Sequence, residues 1–197
     1  MAPPRKHETD RILDAARELV LRDGPRAASV AAIARESGAP AGTLYHRFAS
    51  RDGLLAAAWL RALERFQQSA LAAAASESEP LEAAVAMAVS QVTFARERPE
   101  DARLLVSLRR DDLLDGDPGE GFSARLEAIN GPLRELMLEL IEALRGASDA
   151  RAQDWLRRAI VDLPNAAVRR HLREGHELPP WLEEDAGLAV RRLLAAG

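Results

Sequence analysis

Two short amphipathic segments separated by a glycine turn constrain this chain more than any other feature. Ser29 offers a side-chain oxygen suited to a helix start, Val30, Ile33 and Ala34 follow on one face, and Gly38 is the residue type that ends such a helix left-handed. Only Gly38-Ala39 then intervenes before Pro40, which suits a first helical position, and a further short helix from Ala41 to Phe48. Two short helices around a tight glycine turn are a helix-turn-helix. Ahead of them Ile12, Ala15, Ala16, Leu19 and Val20 fall at i, i+3, i+4, i+7 and i+8, which predicts a first helix capped by Thr9 and stopped by Gly24-Pro25.

The remainder reads as helix too. Alanine fills 39 of 197 positions and Lys6 is the only lysine, so the basic residues are almost all arginine. Alanine and arginine favour helix, β-branched residues are sparse, and the expectation is an all-α chain. After Ser50, a cap candidate, the apolar spacing of Leu54, Leu55, Trp59, Ala62, Leu63 and Phe66 predicts a long helix that ends at Ser76–Pro80. Leu81–Arg96 reads as a fifth helix, Pro99–Leu114 as a sixth, and the acidic, turn-rich stretch Asp115–Gly121 as a loop. Periodicity resumes over Phe122–Leu144 with a break or kink expected at Gly131-Pro132. Ser148 is the cap expected for a helix through Trp155 and Ile160, Pro164 marks another break or start before Val168–Glu174, and Trp181–Leu194 forms the last helix.

Composition closes off several chemistries. With no cysteine there is no disulfide framework, thiolate metal site or cysteine nucleophile, and four histidines remain beside the carboxylates as metal ligands. His171 and His176 stand five apart with Gly175 between them, unlike the four-residue spacing that puts two histidines on one helical face, so no metal or cofactor is expected. No nucleophile elbow, phosphate loop or glycine-rich dinucleotide turn occurs, and an enzyme is not expected. The first ten residues are charged and no run of ~18 apolar residues occurs, so the expectation is a soluble cytoplasmic protein without a membrane partner. Residues 1–51 carry 9 Lys+Arg and 6 Asp+Glu, net +3, and residues 52–197 carry 18 and 25, net −7. A basic head on an acidic body suits a polyanion at the head.

At 100° per residue, Ala41, Leu44 and Phe48 share one face of the third helix. Gly42, Thr43 and His46 lie opposite, with Tyr45 and Arg47 on the flanks. Small or hydrogen-bonding groups facing outward can approach base edges, and longer polar groups at the sides can reach phosphates.

The stretch SVAAIARESGAPAGTLYHRFASRDGLL, Ser29–Leu55, resembles the DNA-binding domain of the TetR family of transcriptional regulators in its apolar spacing, Gly38, the Gly42-Thr43-Leu44-Tyr45 run and the junction at Phe48 to Arg51. The resemblance implies that Ser29, Thr43, Tyr45 and Arg51 touch DNA. One departure is that Leu44-Tyr45-His46-Arg47-Phe48 stands where Leu-Tyr-x-His-Phe is commoner, which places Arg47 in the histidine slot. The resemblance further implies a DNA-binding head at 1–51, an effector-binding and dimerisation bundle at 52–197, and a homodimer acting as a ligand-responsive repressor on a pseudo-palindromic double-stranded DNA operator. On that precedent the dimer interface falls on the last long helices, with Leu156, Ile160, Val168 and Leu172 as candidates beside Trp181. The candidates for a small-molecule effector pocket are Trp59, Phe66, Met87, Phe94, Leu105, Leu108, Met137 and Trp155, because aromatic and methionine side chains build adaptable apolar cavities. The alternative is a helical protein-interaction module whose helix-turn-helix does not bind DNA.

Overall fold

The computed structural model describes residues 5–108, 118–119, 121–146 and 148–195, and every regular element among them is helical. The elements are α1 (Arg5–Asp23), a 3₁₀ turn (Pro25–Ala27), α2 (Val30–Ser37), α3 (Ala41–Phe48), α4 (Arg51–Ala75), α5 (Pro80–Glu97) and α6 (Pro99–Ser107). After them come α7 (Phe122–Arg145), α8 (Ala150–Arg157), a π-helical segment (Arg158–Asp162), α9 (Leu163–Glu174) and α10 (Leu182–Ala195). The expected extension of the sixth helix to Leu114 lies outside the described residues, as does most of Asp115–Gly121.

The chain packs as two compact units, one formed by residues 1–63 and 100–126 and the other by 64–99 and 127–197. In the first, α1 buries Ile12, Ala16, Leu19 and Val20, α2 buries Val30 and Ile33, α3 buries Leu44, and α4 buries Leu54, Leu55 and Trp59. Polar ties reinforce this packing. Arg61 on α4 donates to the Asp14 carboxylate of α1 at 2.6 Å, and Arg17 on α1 donates to buried Asp101 on α6 at 2.5 Å. The second unit centres on Ala84, Met87 and Ala88 of α5, Leu140 and Ile141 of α7, Trp155 and Leu156 of α8, Ile160, and Val190 and Leu194 of α10. Gly187 brings α10 close to α5, since a Cβ there would lie 3.3 Å from Val89.

Several boundaries differ from the sequence expectation for local reasons. Helix α1 begins at Arg5, so Thr9 is interior to it and caps nothing. Pro40 caps α3 from outside, with extended ψ of 137°, and Ala41 rather than Pro40 is the first helical residue. Helix α7 runs through Gly131-Pro132 without a break, because Pro132 is exposed and the Ala128 carbonyl it leaves without a donor is on an exposed residue. Asp149, not Ser148, caps α8, its side chain accepting from the Ala152 N–H at 2.8 Å. Pro164 falls in the first turn of α9, the start that its position offered. The preceding turn widens to a π-helix, and Gln91 Nε2 of α5 donates to the Ile160 carbonyl, the group that a residue with an N–H at position 164 would have satisfied.

Candidate nucleic-acid interface

The helix-turn-helix is built by short-range chemistry. Ser29 Oγ accepts from the Ala32 N–H at 3.2 Å and so caps α2, and Gly38, at φ 69°, ends it in the left-handed conformation. Arg11 of α1 closes over that end, donating to the Ser37 carbonyl at 2.8 Å. Helix α3 ends at Ala49, which holds φ 60° and ψ −46° while the Ser50 N–H donates to the Phe48 carbonyl at 2.6 Å. This is a strained three-residue turn of the positive-φ type. It lets Ser50 cap α4, with Oγ accepting from the Gly53 N–H at 2.9 Å. Gly53 is required there, since a Cβ would sit 2.2 Å from the Phe48 carbonyl oxygen.

These constraints leave one face of α3 open. Gly42 and His46 are exposed, Tyr45 is 56% exposed, Thr43 is half-buried and Leu44 is buried beneath them. Ser29 is exposed beside the turn and keeps its O–H to donate. Ala41, read from the helical wheel as inward-facing, is exposed.

The two arginines expected to reach phosphates are occupied within the protein. Arg47 donates to Thr9 Oγ1 at 2.8 Å through Nη1 and forms an ion pair with Glu8 through Nη2. Arg51 donates to the Ala28 carbonyl at 3.1 Å, to the Pro25 carbonyl and to Asp52 at 2.7 Å, binding the start of α4 to the loop that carries Ser29. Sequence reasoning passed over Arg26 and Arg35, both exposed and with no carboxylate partner among the described residues. Arg35 was legible, because it stands about 200° from buried Ile33 on the α2 wheel.

The effector-pocket candidates fall in both units. Trp59 donates through Nε1 to the Leu108 carbonyl at 3.1 Å and lies 6.5 Å from the Phe122 ring, in the first unit, which also holds half-buried Leu105. In the second, Phe66 meets Phe94 edge-on at 5.3 Å, and Met87 and Trp155 belong to one buried core against which Met137 packs. Met137 also lines a groove of about 430 Å³ between α7 and α8, with Leu133, Leu138 and Ile141 among its apolar residues and Arg134 and Arg157 among its polar ones. Of the dimer candidates, Leu156, Ile160 and Val168 are buried in their own protomer, so their side chains are not available to a partner, whereas Leu172 is half-buried. Leu163, Trp181, Leu188 and Leu193, on or next to α9 and α10, are the large apolar side chains that these segments expose among the described residues.

Residues 12–58 match the family profile described as bacterial regulatory proteins of the tetR family. The N-terminal head is thus similar to the DNA-binding domain of the TetR family. Over 62 residues it is 44% identical to the HTH-type transcriptional regulator UidR of Escherichia coli K12, a match spanning 29% of this chain and 32% of that protein's length. The chain therefore aligns with about a third of the curated relative. The likeness in fold extends beyond the head. The fatty acid degradation regulator FadR of Bacillus halodurans superposes with a TM-score of 0.74 at 17% identity, covering 98% of this chain and 97% of that one. FadR of Bacillus subtilis in complex with stearoyl-CoA gives 0.73 at 13%, covering 95% and 98%. A TetR family regulator from Shewanella sp. PV-4 gives 0.69 at 23%, covering 95% of each. No helix among the described residues is long and apolar enough to cross a membrane.

Proposed function

We propose that the chain is a transcriptional regulator, a homodimer that reads a pseudo-palindromic operator with α3 of each protomer and, as a repressor, releases it on binding a small-molecule effector. The observation that carries this reading is the open face of α3, with Gly42, Tyr45 and His46 exposed and Thr43 half-buried among them, on a helix-turn-helix of TetR type. Residues 1–51 are the DNA-binding head and 52–197 the effector and dimerisation domain. Thr43 and His46 read base edges, Gly42 admits close approach of the backbone, and Ser29 and Tyr45 bind phosphates. A single head makes too few contacts for selective binding, which is why two are needed. Leu163, Trp181 and Leu188 support a partner surface on or next to α9 and α10, in place of the buried Leu156, Ile160 and Val168. The Bacillus subtilis FadR neighbour holds stearoyl-CoA, and its likeness in fold supports an effector for this chain. The net charge of −7 on residues 52–197 disfavours a polyanionic one.

The test is selection of bound fragments from the source genome by the purified protein at moderate salt. An enriched inverted repeat is expected, with affinity falling steeply as salt rises. Thr43→Ala relaxes preference at one base position per half-site, by about 1–3 kcal/mol, whereas Tyr45→Phe weakens binding to every sequence alike. A folded dimer that enriches nothing, and whose affinity for DNA does not respond to salt, is instead a helical interaction module.

A further inference from the structure

We propose that Arg47 is a positioning residue for the DNA-reading helix and makes no phosphate contact, and that Glu8 of α1 is its working partner. This rests on the reading of α3 as the helix that faces DNA. Helix α3 has eight residues, far below the ~12–15 at which a helix holds itself together, and no side chain caps either of its ends. Its orientation must come from the rest of the head. Leu44 is its one fully buried side chain, with Phe48 half-buried beside it, and apolar contact along one face leaves rotation about the helix axis weakly resisted.

Arg47 supplies the second anchor. It stands three residues after Leu44, one helical turn along and about 60° around the axis. Both terminal guanidinium nitrogens are used, one on Thr9 Oγ1 at 2.8 Å and the other on the Glu8 carboxylate, and the side chain is only 22% exposed. The fork geometry of arginine allows two acceptors on α1 to be held at once, which a neutral histidine in this slot, with one N–H donor, cannot do. Loss of that anchor matters for readout because a rotation of ~20° at ~5 Å from the axis moves a side-chain atom by about 2 Å, enough to break a hydrogen bond to a base edge. A phosphate approaching Arg47 would also meet the Glu8 carboxylate.

Two substitutions separate positioning from phosphate binding. Arg47→Gln removes the guanidinium, and Glu8→Gln removes the partner's charge, leaving a weaker amide acceptor beside the intact arginine. A positioning role predicts that both variants lose tenfold or more of the ratio between operator and scrambled-duplex affinity, that the slope of log Kd against log salt stays at the wild-type value, and that the double variant is no worse than the worse single. Glu8→Gln is the decisive arm, since deleting a negative charge beside DNA should by charge alone tighten binding. A slope lower by about 0.9 per head in Arg47→Gln, with Glu8→Gln binding all duplexes more tightly, overturns the proposal. Hydrogen exchange of the protein without DNA provides an independent arm. Faster exchange of residues 41–48 in both variants at unchanged helical content supports the anchor, and unchanged exchange in both overturns it. A wild-type chain that binds no duplex at any salt defeats the DNA reading alone, leaving the exchange result to decide the role of Arg47.

Discussion

Asp101 is 2% exposed and accepts from Arg17 Nη1 at 2.5 Å, so the first unit contains a charge that water scarcely reaches. Such a pair contributes little net stability when intact, but removing one member strands the other. Asp101→Asn is therefore expected to lower unfolding stability by about 1–3 kcal/mol, less than a fully stranded charge costs because the Asp14 carboxylate lies 3.5 Å from Arg17 Nη2, read as a shifted urea midpoint at unchanged slope. A smaller loss than ~1 kcal/mol would mean that Arg17 finds water or another acceptor once released. The same distinction governs what the sequence disclosed at this scale. The helical wheel of α3 turned Leu44 inward and Gly42 and His46 outward, as found, because periodicity sets the direction of a side chain, whereas Thr43 is half-buried and Ala41 exposed. It could not show that Arg47 and Arg51 were taken, since their acceptors Glu8 and Pro25 lie 39 and 26 residues earlier in the chain.

Between α8 and α9, one proline changes the hydrogen bonding of a whole element. Pro164 withholds the N–H that would reach the Ile160 carbonyl, the turn opens to i→i+5 bonding with the Leu163 N–H on the Arg158 carbonyl, and Gln91 Nε2 takes the vacant acceptor from α5. Gln91→Leu leaves that carbonyl buried without a donor and should cost about 1–3 kcal/mol in thermal or urea unfolding. Pro164→Ala in the same chain restores a local donor and should recover most of the loss. If the two effects simply add, the carbonyl is not the link between them. The sequence offered a break or kink at Pro132 and a break or start at Pro164: α7 continues through the first, and the second stands in the first turn of α9 with helical chain on both sides. A missing N–H ends a helix only where nothing else satisfies the orphaned carbonyl, and the Ala128 carbonyl is on an exposed residue while Ile160 has a side chain from another helix. Caps and glycine stops, by contrast, are decided within four residues, which is why the bounds of α2 and α3 were nearly all legible in advance.

At the scale of the molecule, charge and resemblance placed a boundary at residue 51, but the compact units divide at 63/64, 99/100 and 126/127. No local signal marks such a division, because α4 continues through the first of these points as unbroken helix and the first unit is assembled from two separated stretches of chain. The all-α class was legible from alanine, arginine and 3.6-residue periodicity, which are additive along a chain. Which helices share a core depends on pairings between distant segments, and these are not. One consequence concerns light rather than stability. The three tryptophans occupy three different surroundings: Trp59 is buried in the first unit with its indole N–H on a carbonyl, Trp155 is buried in the second beneath the Arg145 guanidinium at 4.3 Å, and Trp181 is 60% open to solvent. Ultraviolet emission from this chain is therefore a sum of three spectrally distinct reporters, one inside each unit and one on the surface, and replacing any two by phenylalanine leaves an intrinsic dye for the third.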